Sequence, residues 1–368
     1  MQELTNVKGK KAFIVADGIM KELGYLQKTI DYLSQANIES DVFSEVRPDP
    51  SIDIVTEGLS LYKRSNADII VALGGGSAID TAKGIVYFAE RVEKLNEANF
   101  KKPQFIAIPS TSGTGSEATD FTVITSEGEK ICFIDESLAP DLAILDSTCI
   151  QHVPQHVCAD TGIDVLVHSI EAYVSKNASD FTDALAEKAI KLIFDFLEPL
   201  YNDTKNDYAR DRILNASCMA GMAFTNTGLG INHSLAHALG ATFHLSHGRS
   251  NALLLEGVME YNADLSGKAN DYATEKYAKL AKMLQLPART KREGAVNFIS
   301  AVSKLKKNLK IENSISSFDI KKEDFEQALE QMSTSALNDR CTPTNPKNPT
   351  KDELVGILKR CYKGKRTY

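Results

Sequence analysis

The sequence predicts an α/β N-terminal domain with a parallel sheet, followed by an all-α C-terminal domain. Three observations lead there. Short β-rich runs alternate with helical spacing up to about residue 150. Beyond Pro154 only helical spacing is found. With 368 residues, 43% of them apolar and 25% charged, the chain can fill two cores. The boundary is expected between residues 152 and 153, giving domains 1–152 and 153–368.

In order, KAFIVA reads as a first strand, YLQKTIDYLSQA as a helix, SDVF as a strand, IVTEGLSLYKR as a helix and ADIIVAL as a third, apolar strand. FIAIP, FTVIT, KICFID and DLAILD continue the β character, with SEGE before Lys130 reading as a hairpin turn. After Pro154, DFTDALAEKAIKLIFDFLEPLY, YARDRILNASCMAGMAF and YATEKYAKLAKMLQL carry apolar residues at helical spacing.

The bulk numbers exclude several function classes. A net charge of −7 argues against nucleic acid, and the basic tail KGKRTY from Lys363 is too short to change that. The start, MQELTNVKGKK, lacks the apolar core of a secretion signal, and no apolar run approaches membrane-spanning length, so a cytoplasmic protein with no membrane partner is expected. Six scattered cysteines without a CxxC pair read as reduced thiols. A small-molecule partner fits best.

ADIIVAL runs straight into GGGSAIDTAKG, Gly74 to Gly84, where the next helix begins. Bare backbone N–H groups at a helix N-terminus bind anions, and glycine lets a phosphate approach without a Cβ in the way. The strand–turn–helix context favours a pyrophosphate over a plain tight turn. The GxxxxGK[ST] spacing is missing, and the turn follows the third strand, so a Rossmann-like but atypical dinucleotide domain is implied. The ribose-binding acid must come from elsewhere. Asp17, ending the first strand, is equally an acid at the ligand-binding sheet edge or an N-cap for the following helix. A second polar loop, IPSTSGTGSE, supplies Ser110, Thr111, Ser112, Thr114 and Ser116 after another strand.

Four of the seven histidines fall between Gly228 and Gly248. His233 and His237, four apart in a helical segment, share a face, and His247 follows beside Gly248 where a turn is expected. One such pair alone reads as hydrogen-bonded core. However, Asp164 and His168 are also four apart on a predicted helix. Asp164, His168, His233 and His247 would offer one carboxylate and three imidazoles, a set suited to Fe(II) or Zn(II). His237 is then near the ion, not on it. His152 and His156 have Pro154 between them and receive no role, and His244 is at most pocket lining.

The GGGSxxDxxK loop from Gly74 to Lys83, PSTSGTGSE, TGxDxLxHxxE from Thr161 to Glu171, and HxxxH followed by HG resemble, in order and over nearly the whole chain, the iron-containing alcohol dehydrogenase family. Within it the sequence is most similar to the propanol dehydrogenases of propanediol-utilising bacteria, through ASDFTDALAEKA and NASCMAGMAF. The resemblance implies a dehydroquinate synthase-like architecture, with an NAD-binding first domain and a metal-binding catalytic second one. It implies Asp164, His168, His233 and His247 as metal ligands, Fe(II) or Zn(II) as the ion, and His237 beside the reacting oxygen as a catalytic residue. It places Asp17 on the adenosine ribose, implying NAD in preference to NADP. Gly75, Gly76 and Ser77 fall on the pyrophosphate with Asp80 nearby, and Asp49, Ser110, Thr111, Thr114, Val123 and Lys130 fall in the rest of the cofactor pocket.

The implied activity is interconversion of short-chain primary alcohols and aldehydes, propanol with propionaldehyde or ethanol with acetaldehyde. A homodimer and association with a bacterial microcompartment are implied as well. A diol or glycerol dehydrogenase and a non-catalytic nucleotide-binding component are the alternatives. Three positions depart from the family pattern: Ser110 for threonine, Asp49 for asparagine, and Ser246 for the proline before the last ligand, where the loop carrying His247 is expected to loosen. The chain begins almost at its first strand, so an edge of the sheet is expected to be missing or covered by a partner chain.

Overall fold

The computed structural model describes residues 1–96, 101–126, 129–265 and 271–364, excluding the side chains at 93–96, 129, 130 and 271. Its first unit, Met1–Val153, is built on strands whose successive residues alternate between two apolar layers. In β1 (Lys11–Asp17), Ala12, Ile14 and Ala16 enter one cluster, and Phe13 and Val15 the other. Both layers are needed because helices cover both faces of a parallel sheet. Below β1 lie α1 (Gly18–Glu22) and α2 (Tyr25–Gln35), the latter contributing Leu26 and Leu33 to the first cluster. β2 (Glu39–Val46) leads to α3 (Ile52–Ser65), and β3 (Ile69–Gly74) to α4 (Gly76–Asn96); both helices pack on the second cluster.

β4 (Gln104–Pro109) and β7 (Leu142–Ala143) complete a five-stranded parallel sheet in the order β2-β1-β3-β4-β7. The order reverses direction between β1 and β3, the position where doubly wound sheets open a crevice at their strand C-termini. β5 (Phe121–Ser126) and β6 (Glu129–Ile134) pair antiparallel, from Phe121 opposite Ile134 to Ser126 opposite Glu129. The turn expected between them, at residues 127–128, lies outside the described residues.

The second unit, Pro154–Tyr368, is helical among the described residues: α5 (Gln155–Val174), α6 (Asp180–Asn202), α7 (Asp207–Thr227), α8 (Ile231–Phe243), α9 (His247–Asn262), α10 (Asp271–Met283), α11 (Lys291–Asn308), α12 (Lys322–Asn338) and α13 (Lys351–Lys363). α5 begins directly after Pro154, which ends the preceding turn, and buries nearly every side chain from Cys158 to Val174. A helix buried on all sides belongs in the middle of a bundle, and here the burial takes in Asp164, His168 and Glu171 as well as the apolar residues. One core joins α8, α9, α12 and α13 through Leu235, Leu254, Phe325 and Ile357. No helix among the described residues is long and apolar enough to cross a membrane.

Candidate metal and cofactor sites

In the first unit Asp17, the turn at 75–77 and the loop at 110–114 follow the C-terminal ends of β1, β3 and β4 in one sheet, while Val123 and Lys130 belong to the separate β5–β6 pair. Asp17 does both things its position allows. Its Oδ1 accepts the Met20 N–H at 2.9 Å, capping α1, while Oδ2 accepts the Gly75 N–H at 3.4 Å across the β1–β3 crevice. The glycine turn itself is tightly enclosed. Gly74 has φ +154, and a Cβ there would meet Asp17 Oδ2 and the Ala78 Cβ at 2.6 Å. Added methyls at Gly75 and Gly76 would press on Thr111 at 3.2 Å and Thr114 at 3.1 Å. The Ser110 N–H donates to the Gly74 carbonyl at 2.9 Å. Thus the glycine turn and the hydroxyl loop, expected separately, form one wall. The helix starts at Gly76, so the backbone amides of Gly76 and Ser77 lie in its first turn, the polarity an anion requires.

Asp80 is in contact with β5, the strand that carries Val123 opposite Cys132. The Thr122 hydroxyl donates to the Asp80 carbonyl at 2.9 Å, and the Thr125 N–H to the Pro50 carbonyl at 2.8 Å. Asp49, in the loop after β2, adopts φ +53, a left-handed conformation that asparagine and aspartate tolerate best. The Asn-to-Asp exchange therefore sits where either residue serves. Lys130 lies on β6 opposite Thr125, and its side chain lies outside the described residues. Lys83, quoted only as part of a motif, proves structural: its buried Nζ donates to Thr119 O, Thr119 Oγ1 and Phe121 O at 2.7, 2.8 and 2.8 Å. Burial pulls this amine down to about 8, against the opposing pull of Asp80, Glu117 and Asp120.

In the second unit, Asp164, His168, His233 and His247 come together: one donor atom from each lies within 4.8 Å of the other three. Asp164 and His168 share a face of α5, as their spacing predicts. His233 comes from the first turn of α8. His247 is the first residue of α9, not a loop residue as expected, because Gly248 packs against α5: a Cβ there would lie 2.6 Å from the Asp160 carbonyl. His244 is the C-cap of α8, at φ +56, and is exposed. The four donors fit a divalent ion on a specific observation. Asp164 Oδ1, His233 Nε2 and His247 Nε2 all converge on one donor, the Asn251 amide nitrogen, at 2.7, 3.2 and 3.1 Å. Their lone pairs face a common point. The ring of His168 stacks between Phe224 (4.5 Å) and His233 (4.6 Å), which fixes its plane.

Behind His233, Glu171 Oε2 lies 2.5 Å from Nδ1, and Glu171 Oε1 accepts the Asn232 N–H at 2.7 Å. Gly230 makes room: a Cβ there would lie 2.7 Å from Oε1. Burial pushes the Glu171 carboxyl up to about 8, against the backbone N–H groups of Asn232, Gly230 and His233. The same burial, helped by the neighbouring imidazoles, drives His233 well below 6.5. The lowered His233 favours a neutral ring, the charge state a metal ligand requires. Burial raises Asp164 as well.

His237 is outside the set of four, although its ring stacks on that of His247 at 5.5 Å. Its side chain is 43% exposed and its Nδ1 lies 2.8 Å from Asp339 Oδ2, while Asp339 Oδ1 accepts the Cys341 N–H at 2.8 Å and the Ser234 hydroxyl at 3.3 Å. Asp339, Asn251 and the orienting role of Glu171 were absent from the sequence reading. Asn251 had a signal, four residues after His247, that becomes readable once α9 is known to start there. Asp339, 102 residues from its partner, had none.

Comparison with known proteins gives a consistent result. A family model described as "Iron-containing alcohol dehydrogenase" matches residues 1–147, and one described as "Fe-containing alcohol dehydrogenase family, C-terminal" matches residues 158–362. The chain is similar to the NADPH-dependent butanol dehydrogenase of Clostridium saccharobutylicum, 39% identical over 99% of this chain and 95% of that one. It is similar to the 1-propanol dehydrogenase PduQ of Citrobacter freundii, 39% identical over 94% and 91%. The aldehyde-alcohol dehydrogenase of Streptococcus pneumoniae is 40% identical over 96% of this chain, which spans 43% of that longer protein. Among solved structures, the iron-containing alcohol dehydrogenase of Thermococcus thioreducens superposes with a TM-score of 0.90 at 33% identity, covering 99% of this chain and 96% of that one.

Proposed function

The chain belongs to the iron-containing alcohol dehydrogenase family, and on that premise we propose that it interconverts short-chain primary alcohols and aldehydes, propanol and propionaldehyde foremost, using NAD(H) and a divalent metal, Fe(II) with Zn(II) as substitute. The observation that carries the reading is the convergence of Asp164, His233 and His247 on one point, with His168 completing the set. These four residues would hold the ion, with Glu171 and Asn251 orienting them. When bound, the ion supplies Lewis acidity toward the substrate oxygen.

His237 carries the proton in this reading. Asp339 engages its Nδ1 and leaves Nε2 to take the hydroxyl proton as the alcohol carbon gives hydride to NAD+, and to return it in the reverse direction; imidazole exchanges protons near neutral pH. The first unit holds the cofactor, with Gly75, Gly76 and Ser77 on the pyrophosphate and Thr111 and Thr114 closing the wall. Asp17 supports NAD, since a carboxylate at the crevice repels a 2′-phosphate. The butanol dehydrogenase relative is named as NADPH-dependent, so the cofactor preference of this chain is to be read from its own NADPH-to-NADH ratio.

The test is NADH oxidation with propionaldehyde by chelator-stripped protein under anaerobic conditions, before and after Fe(II) or Zn(II). Activity that returns only with metal supports the reading, and His233→Ala is then expected to lose metal and turnover together. A His233→Ala protein that keeps both would sink the ligand assignment.

A further inference from the structure

The last member of the quartet is the least enclosed: the His247 side chain is 45% exposed, against 4% for Asp164 and 1% for His233. Its residue is the first of α9, and the preceding Ser246 makes no capping hydrogen bond with its side chain. The ring itself touches Asn251 at 3.1 Å and lies 5.5 Å from His237 and 5.3 Å from His233, but no side-chain cap holds the backbone that carries it. Two contacts hold that backbone instead. Gly248 brings the first turn of α9 against the α5 backbone at Asp160. Next to it, Arg249 Nε donates to Asp160 Oδ1 at 2.8 Å and its Nη1 pairs with Glu312, while the guanidinium lies over the Phe318 ring at 5.9 Å. The Arg249 side chain is only 16% exposed, so solvent screens the bridge weakly. Asp160 lies one helical turn before Asp164 on α5. The bridge thus ties the helix start that carries His247 to the helix that carries two other candidate ligands.

We propose that Arg249, through Asp160 and Glu312, is a positioning residue that locks the start of α9 so that His247 meets Asp164, a function that replaces the rigidity a proline at 246 would give. The inference rests on the metal-centre reading above. A planar guanidinium can engage two carboxylates in fixed geometry, which a lysine cannot. Ser246 has φ −60 and ψ 150, the backbone angles proline imposes or accepts, so the two devices are interchangeable in principle.

The experiment measures Zn(II) affinity of the full chain by competition with a chromophoric chelator, for wild type, D160N/R249M and S246P/D160N/R249M, with the melting temperature of each after chelator treatment. The double variant avoids leaving Asp160 as a buried unpaired charge. D160N/R249M is expected to bind Zn(II) about 10- to 100-fold more weakly, the usual effect of losing a group that orients a ligand, with a metal-free melting temperature close to wild type. S246P is expected to restore most of that loss. Equal affinity in wild type and D160N/R249M overturns the inference and leaves the metal centre standing. Weaker binding that S246P does not restore assigns Arg249 a structural role alone and also overturns it. A wild-type chain that binds no Zn(II) overturns the metal-centre reading, and this inference with it.

Discussion

His233 Nδ1 and Glu171 Oε2 lie 2.5 Å apart in a fully buried setting, and the second Glu171 oxygen accepts the Asn232 N–H. One carboxylate thus fixes both the ring and the helix start that presents it. Glu171→Ala would strip a partner from two buried donors and free the ring to rotate. Metal affinity is expected to fall about 10- to 100-fold, and Glu171→Gln, which keeps an acceptor oxygen, is expected to lose less. Metal competition titration of the two variants checks the order. Equal affinities in wild type and Glu171→Ala would remove Glu171 from the site.

Asp339 and His237 form a similar pair at the exposed side of the quartet. With Asp339→Asn, the fixed ring orientation is weakened while NADH binding is untouched. The expected result is a kcat lower by roughly 10-fold with the NADH KM unchanged, against roughly 100-fold for His237→Ala. Because the two residues act as a unit, the double variant is expected to be no slower than His237→Ala alone. Steady-state kinetics with a full 2 × 2 cycle reads this directly, and additive losses would separate the two roles.

Asp17 caps α1 with one oxygen and meets the glycine turn with the other. Asp17→Asn keeps a capping oxygen but removes the charge. The ratio of kcat/KM for NADPH over NADH is expected to rise in this variant with little change in melting temperature. An unchanged ratio would leave Asp17 as a cap only.

Lys83 provides a pH-dependent signature. Its amine falls from 10.5 to about 8 in the folded protein through burial, so between those values the native chain binds fewer protons than the unfolded one. Stability from this group therefore rises as pH increases from about 8 to 10.5 and is flat below. Lys83→Met would remove that slope. It would also leave the Thr119 and Phe121 carbonyls short of a donor, at a cost of about 1–3 kcal/mol each at most. Urea melts of both proteins at pH 7, 8.5 and 10 test it; parallel curves would contradict the buried-amine account.

Much of this was legible before any coordinates. Asp164 and His168, four apart, left a helical signature that the fold preserves, and the GGG turn announced its anion-binding form through strand and helix context. What could not be read depends on tertiary contact. His247 looked like a loop residue because Gly248 follows it, yet that glycine is required by the Asp160 carbonyl on a distant helix. Strand order placed Asp17 beside Gly75, which alternation of apolar residues cannot specify. DLAILD had six residues of β character, but only Leu142 and Ala143 find register with β4. Asp339 reaches His237 only because α12 packs on α8, a juxtaposition without local pattern.

Four of the polar residues of α5 sit at 160, 164, 168 and 171, within about 16 Å of helix. Together they do three jobs: Asp160 bridges Arg249, Asp164 and His168 are candidate ligands, and Glu171 supports His233. The pitch of the helix is therefore a ruler against which the centre is assembled. Deleting one residue inside this span would turn everything after it by about 100°, and all the remaining marks would miss at once. Point substitutions can be absorbed one at a time, but an insertion or deletion here has no partial outcome.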